Sequence, residues 1–131
     1  MSTEQNKAVV RRFMTEALSG RNVGLADDVL APNYVNRAMG TDLTAFKAML
    51  TGLAAALPDR RFDVEDLVAE GDAVVARFTS EMTDATGKAI SMRGMTYYGL
   101  ANGRIVEDDP ITSPDLTQAL GDLMGGAGPV G

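Results

Sequence analysis

A chain of 131 residues with a net charge of −6, 45% apolar residues and neither Cys nor His has room for one domain around one core. Its acidity argues against nucleic acid or an anionic membrane as partner, since both need a basic footprint. Without Cys and His, disulfides, thiolate chemistry, the commonest metal ligand and every Ser–His or Cys–His system are excluded, so acid–base work falls to Asp, Glu, Lys or Tyr.

The opening MSTEQNK lacks the basic start and apolar run of a secretory signal. No stretch approaches the roughly 20 apolar residues of a membrane span. A soluble, cytoplasmic protein is expected. Ser2 or Thr3 caps a first helix, with Gln5 at capping-box spacing from Ser2. Val9, Phe13 and Ala17, with Val10, Met14 and Leu18 one step round, give that helix a wide apolar face ending at Gly20. A short second helix covers Gly24 to Leu30, and Tyr34-Val35-Asn36 beyond it reads as extended. Thr41 or Asp42 caps a third helix whose stripe is Leu43, Phe46, Met49, Leu50 and Leu53.

Four strands follow. Arg60 to Ala69 alternates Phe62 and Val64 against charges, Gly71-Asp72 turns the chain, and Ala73–Met82 alternates again. After a turn at Asp84 to Lys88, Ala89–Leu100 and Arg104–Ile111 form a hairpin across Asn102-Gly103, a pair that tolerates φ > 0. The hairpin runs into Glu107-Asp108-Asp109, where three adjacent carboxylates repel one another. Pro110 is expected to end regular pairing. Ser113-Pro114-Asp115 reads as a helix start, Leu116, Leu120 and Leu123 as that helix's apolar side, and residues 122–131 as a flexible tail. Helices followed by hairpin-linked strands make one α+β domain over residues 1–131.

The order of these elements, with "APNYVN", "LPDRRFDVEDLVAEGDAVVARFT", "GK", "NGRIVEDD" and "QALG", resembles the SnoaL-like polyketide cyclases of the nuclear transport factor 2-like superfamily. The resemblance covers residues 5 to about 121. It implies a cone-shaped, curved antiparallel sheet with three N-terminal helices enclosing a pocket. It also implies cofactor-independent, carboxylate-assisted ring closure of the intramolecular aldol type on a small hydrophobic, polyketide-like molecule. Two other readings stand beside it: an epoxide-opening hydrolase or cyclase, and a non-catalytic small-molecule-binding dimeric module of the same fold. The chain departs from the family at three places. Ser80 to Lys88 is short; Arg37, Asp108 and Asp109 stand where the family often has His or Trp; and the position of the cyclases' catalytic Asp falls on Ser113 unless two residues are inserted, which would bring it to Asp115.

Strand alternation without a bulge puts Ile105, Glu107, Asp109, Ile111 and Ser113 on one face. Asp109 is then the expected base, with a pKa raised by burial and by its acidic neighbours, and Asp115 the alternative. The competing readings are a solvated strand end for Asp109 and a helix start for Asp115. By the resemblance Asn36 faces the ligand, whereas a turn-stabilising Asn is the plain alternative. Gly94, Thr96 and Tyr98 share the face matching the family's pocket lining, the glycine leaving room for a ring. Arg37 with Asp108 and Asp109 forms the set an epoxide-opening enzyme would use. Phe13, Met14, Met49 and Leu53 are candidates for a greasy lining, or equally for core. Neither metal nor cofactor is expected, and Arg77, Thr79, Arg93 and Tyr97 on the outer sheet face are expected to pair two copies as a homodimer.

Overall fold

The computed structural model describes residues 2–84 and 86–114. Helix α1 (Thr3–Arg12) opens with the expected capping box, Ser2 accepting from the Gln5 N–H while the Gln5 side chain accepts from Ser2. Such a cap stabilises a helix by about 1 kcal/mol. The chain then widens into a π-helical stretch, Phe13–Leu18, which swings Phe13, Met14 and Ala17 inward. A 3₁₀ turn at Val23–Leu25 leads into α2 (Ala26–Val29) and directly into strand β1 (Leu30–Asn36). The second helix is therefore shorter than expected, because Leu30 is already extended and pairs with Ile105. After β2 (Thr41–Asp42), the Asp42 carboxylate accepts from Ala45 N at 2.9 Å and caps α3 (Leu43–Ala56).

The remaining strands are β3 (Arg61–Glu70), β4 (Ala73–Thr83), β5 (Ala89–Ala101) and β6 (Arg104–Ser113). Together they build a six-stranded curved sheet in the order β2-β1-β6-β5-β4-β3. Every pairing is antiparallel except β1 with β6. That parallel contact brings an N-terminal strand beside the C-terminal hairpin. The Asn102-Gly103 turn has φ values of 52° and 78°, left-handed geometry that these two residue types adopt with little strain.

Of the three register shifts in the sheet, two decide which side chains of β3 and β6 face inward. In β3 the register steps from Val64↔Phe78 to Asp66↔Arg77, so Glu65 is extra and Leu67 and Ala69 keep the inner face. In β6 it steps from Leu100↔Ile105 to Gly99↔Glu107, so Val106 is the additional residue of a bulge. Beyond it the alternation is reversed relative to a regular strand.

Pro110 does not end the pairing, contrary to expectation. It sits within β6 opposite Thr96, and the ladder runs on to Ser113. The reason lies at the sheet edge. The Asp108 carbonyl accepts from Arg37 N on the β1 side, and residues two apart in a strand direct their backbone groups to the same side. The missing Pro110 N–H would thus point past the end of β1, where no ladder bond is lost.

The core lies between the inner sheet face and the helices. Phe13, Phe46, Tyr34 and Tyr98 form a connected aromatic set, with Phe13 edge-on to Tyr98 at 6.0 Å and Tyr34 5.0 Å from Phe46. The expectation that Phe13, Phe46 and Leu53 are buried beneath the first and third helices is met.

Candidate active site

The site is built on β6 and its two neighbours. Asp108 pairs with Tyr98 on β5 and with Asn36 on β1, and the bulge at Val106 turns its side chain to the inner face together with Ile105. The residue is 4% exposed. Oδ1 accepts from the Thr96 hydroxyl at 2.5 Å and Oδ2 from the Tyr34 hydroxyl at 3.2 Å. Removal from water pushes the Asp108 pKa up from the ordinary 3.8 to about 7. The two hydroxyl donors work against that rise, and the neighbouring Asp109 charge adds to it. Tyr34 and Tyr98 are both held well above the usual phenol range, first by burial and then by the Asp108 charge. They remain neutral hydroxyls near neutral pH.

Asp108 lies in the wall of a partly open cavity of about 80 Å³, otherwise mainly apolar. Five of the eight methionines line it: Met14, Met39, Met49, Met82 and Met92. Thioether side chains repack easily, so this wall can yield to a ligand larger than the resting space. The polar lining comes from Asp108, Thr96, Tyr98, Asn36, Arg60 and Thr112.

Several sequence expectations meet here. Asn36, Thr96, Tyr98, Met14, Met49 and Leu53 all line the cavity. The Asn36 amide oxygen also accepts from Met39 N at 3.0 Å, so the turn-stabilising reading holds at the same residue.

Other expectations are corrected. Asp109 does not point into the pocket: it is exposed on the outer face opposite Tyr97, because the Val106 bulge shifts the alternation by one. Asp108, expected as a companion, takes the inward position. Arg37 is exposed and pairs with Glu107 outside the cavity, so Arg37, Asp108 and Asp109 do not converge as an epoxide-opening set. Phe13 is fully buried behind Tyr98 and does not line the cavity. Gly94 makes no room for a ring; a Cβ there would lie 2.5 Å from the Ile111 carbonyl oxygen. Ser113 ends β6, while Asp115 and the expected helix and tail lie outside the described residues.

Tyr34 and Arg60 went unrecognised in the sequence, as did lining residues such as Met39 and Thr112. Tyr34 carried a signal, because it lies two residues before Asn36 on one strand and must share its face. Arg60 carried a weaker one: it lies two residues before Phe62 and shares its parity, but its charge argues for exposure. Removing the Tyr34 hydroxyl by Tyr34→Phe takes away a bond to the ionised Asp108 and is expected to raise the Asp108 pKa further. Carboxyl-carbon NMR titration of the two proteins measures this, and an unchanged or lower value would contradict the assignment.

Comparison with known proteins agrees with this architecture. The family model for the SnoaL-like polyketide cyclases matches residues 8–112, and the chain belongs to that family. Among solved structures, a candidate polyketide cyclase from Acidithiobacillus ferrooxidans is 29% identical, with a TM-score of 0.74 over 94% of this chain and 99% of that one. IdmH from Streptomyces antibioticus, another candidate polyketide cyclase, is 23% identical, with a TM-score of 0.73 over 89% and 99%. A SnoaL-like polyketide cyclase from Agrobacterium tumefaciens is 18% identical, with a TM-score of 0.73 over 92% and 100%. Nothing among curated proteins matches the chain. No helix among the described residues is long and apolar enough to cross a membrane.

Proposed function

We propose that the protein is a cofactor-independent cyclase that closes a ring in a small, hydrophobic, polyketide-like molecule by intramolecular aldol condensation, with Asp108 as the base. The observation that carries the reading is the buried Asp108 carboxylate, whose pKa of about 7 sits in a mainly apolar cavity. A general base is most effective when its pKa lies near the working pH. Ionised Asp108 takes the proton from a carbon flanked by carbonyls, leaving an enolate. The enolate carbon attacks a second carbonyl of the same molecule, forming the new C–C bond, and the resulting alkoxide takes back the proton from Asp108. Thr96 and Tyr34 orient the carboxylate. The Asn36 amide and the Tyr98 hydroxyl offer donors to substrate oxygens.

The test is product formation from a linear polyketide thioester or its diketone surrogate. Ring closure is expected with the native protein and not with Asp108→Asn, while Asp109→Asn stays active. Full activity of Asp108→Asn would overturn the reading. One observation favours the binding-only alternative: about 80 Å³ is small beside the several hundred of most ligand sites. Saturable binding of the same molecule without any turnover would decide for it.

The outer face of the sheet supports a homodimer. Val68, Met95, Tyr97 and Ile111 are 65%, 55%, 41% and 79% exposed there, beside exposed Arg77 and Arg93. Light scattering at micromolar concentration is expected to give twice the 13.8 kDa chain mass, and Met95→Glu to shift it toward monomer. A native monomer would count against the pairing.

A further inference from the structure

Arg60 lies just before β3 and is 4% exposed. Its Nε donates to the Leu18 carbonyl at the end of the π-helical stretch. Among the described residues neither Nη1 nor Nη2 has a hydrogen-bond partner, and no carboxylate forms an ion pair with it. The nearby acids are engaged elsewhere: Asp59 accepts from Thr83 N, and Glu81 and Asp63 pair with Arg61. A buried guanidinium with two unpartnered nitrogens is unfavourable by several kcal/mol, so its retention where the mainly apolar cavity adjoins an open polar groove calls for a partner.

A second orphan lies on the strand that walls this end of the cavity, though it is not itself part of the lining. Ser80 is fully buried on the inner face of β4, and its Oγ has no partner among the described residues. It sits between Phe78 and Met82, which both line the cavity, and opposite Phe62, two residues beyond Arg60. Asp108 is at the other end. Along β5 the Asp108 end is marked by Thr96, and the level of Ser80 by its pairing partner Met92. Four residues of strand separate those levels, roughly 13 Å, a span of roughly ten carbon–carbon bonds.

We propose that Arg60 is a carboxylate subsite, and that the ligand is an elongated, apolar carboxylic acid with its carboxylate on Arg60. The free Nη edge of a guanidinium is a planar pair of donors that matches a carboxylate in bidentate geometry. A phosphate dianion would need more donors than this lining supplies. The methionines accept the apolar body, and the far end of the molecule reaches Asp108. That last point rests on the cyclase reading, whereas the carboxylate subsite does not.

The two are separated by measuring equilibrium binding rather than turnover. Isothermal titration of the full chain at pH 8 with decanoate, methyl decanoate and decyl phosphate is expected to show decanoate at least tenfold tighter than either. Arg60→Gln is expected to keep methyl decanoate binding and lose the preference for the acid, with Arg60→Lys intermediate. Asp108→Asn is expected to keep that preference even though it removes the proposed base. Equal affinity of the native protein for acid and ester, tighter binding of the phosphate, or an undiminished acid preference in Arg60→Gln would each overturn the proposal. Should Arg60→Gln fail to fold, the native acid and ester pair decides, with Arg60→Lys expected to narrow the preference for the acid and leave the ester unchanged.

Discussion

Asp108→Asn is expected to raise stability at pH 8 by about 2 kcal/mol while lowering turnover by about 10²–10⁴-fold, the usual range for a general base. The sign follows from proton linkage. The folded-state pKa is raised from 3.8 to about 7, so between those values the folded protein holds a proton that the unfolded chain has released. The stabilisation linked to that proton is fully present below about pH 4 and is lost as pH rises through about 7. A shift of this size corresponds to at most about 4 kcal/mol across the window. Asn cannot ionise, so the variant's stability should be flat where the native protein's falls. Only about half of the difference is expected back, because an amide has one acceptor oxygen where the carboxylate offers two to Thr96 and Tyr34. At about 4 °C per kcal/mol, the melting temperature at pH 8 rises by about 8 °C. Asp109→Asn makes the same change in net charge on the exposed outer face and should alter stability by under about 0.5 kcal/mol. Melting curves from pH 4 to 8 on the three proteins decide, and a native curve with no decline across that range would refute the burial argument.

Gly94→Ala is expected to destabilise the protein by about 3 kcal/mol or more. A Cβ on Gly94 meets the Ile111 carbonyl oxygen at 2.5 Å and the Thr112 side chain and Cα at 2.9 and 3.1 Å. Backbone cannot step aside as a flexible side chain does, so β6 must part from β5 and strain or break ladder hydrogen bonds. Gly99→Ala, on the same strand, is the control: its Cβ would meet the Glu107 side chain at 3.4 and 3.5 Å, an ordinary contact. Urea denaturation should place that variant within about 1 kcal/mol of native. Equal behaviour of the two variants would mean that the close approach of the strands at Gly94 is not tight.

Much of the fold was legible in the sequence because it is locally encoded. The Phe46, Leu50 and Leu53 stripe specified α3, and Asn102-Gly103 specified the last hairpin, each through residues only a few positions apart. The parallel pairing of β1 with β6 was not legible, since no local pattern announces which distant edge a short strand will join. Asn36 was found through the family resemblance, and Thr96 and Tyr98 because strand parity along β5 is regular. Asp109 was preferred over Asp108 for the same reason, parity counted across Val106 where one residue is extra. Val106 looks like any strand residue, and three consecutive acids gave nothing to correct the count. Arg60 escaped because charge alone predicts exposure, and its burial depends on the Leu18 carbonyl, 42 residues away.

The parallel junction of β1 and β6 also bears on how the molecule assembles. Tyr34 and Asp108, which share a hydrogen bond across it, are separated by 74 positions in the chain. Contacts of such long range form after local hairpins and helices, because the closing loop must first lose its conformational freedom. A chain whose β5–β6 hairpin is complete but whose β1 has not docked leaves Asp108 open to water, where it titrates as an ordinary carboxylate. The elevated proton affinity depends on burial and is therefore expected only once β1 has docked on β6, so the protonation of one side chain reports that two distant segments of the chain have met.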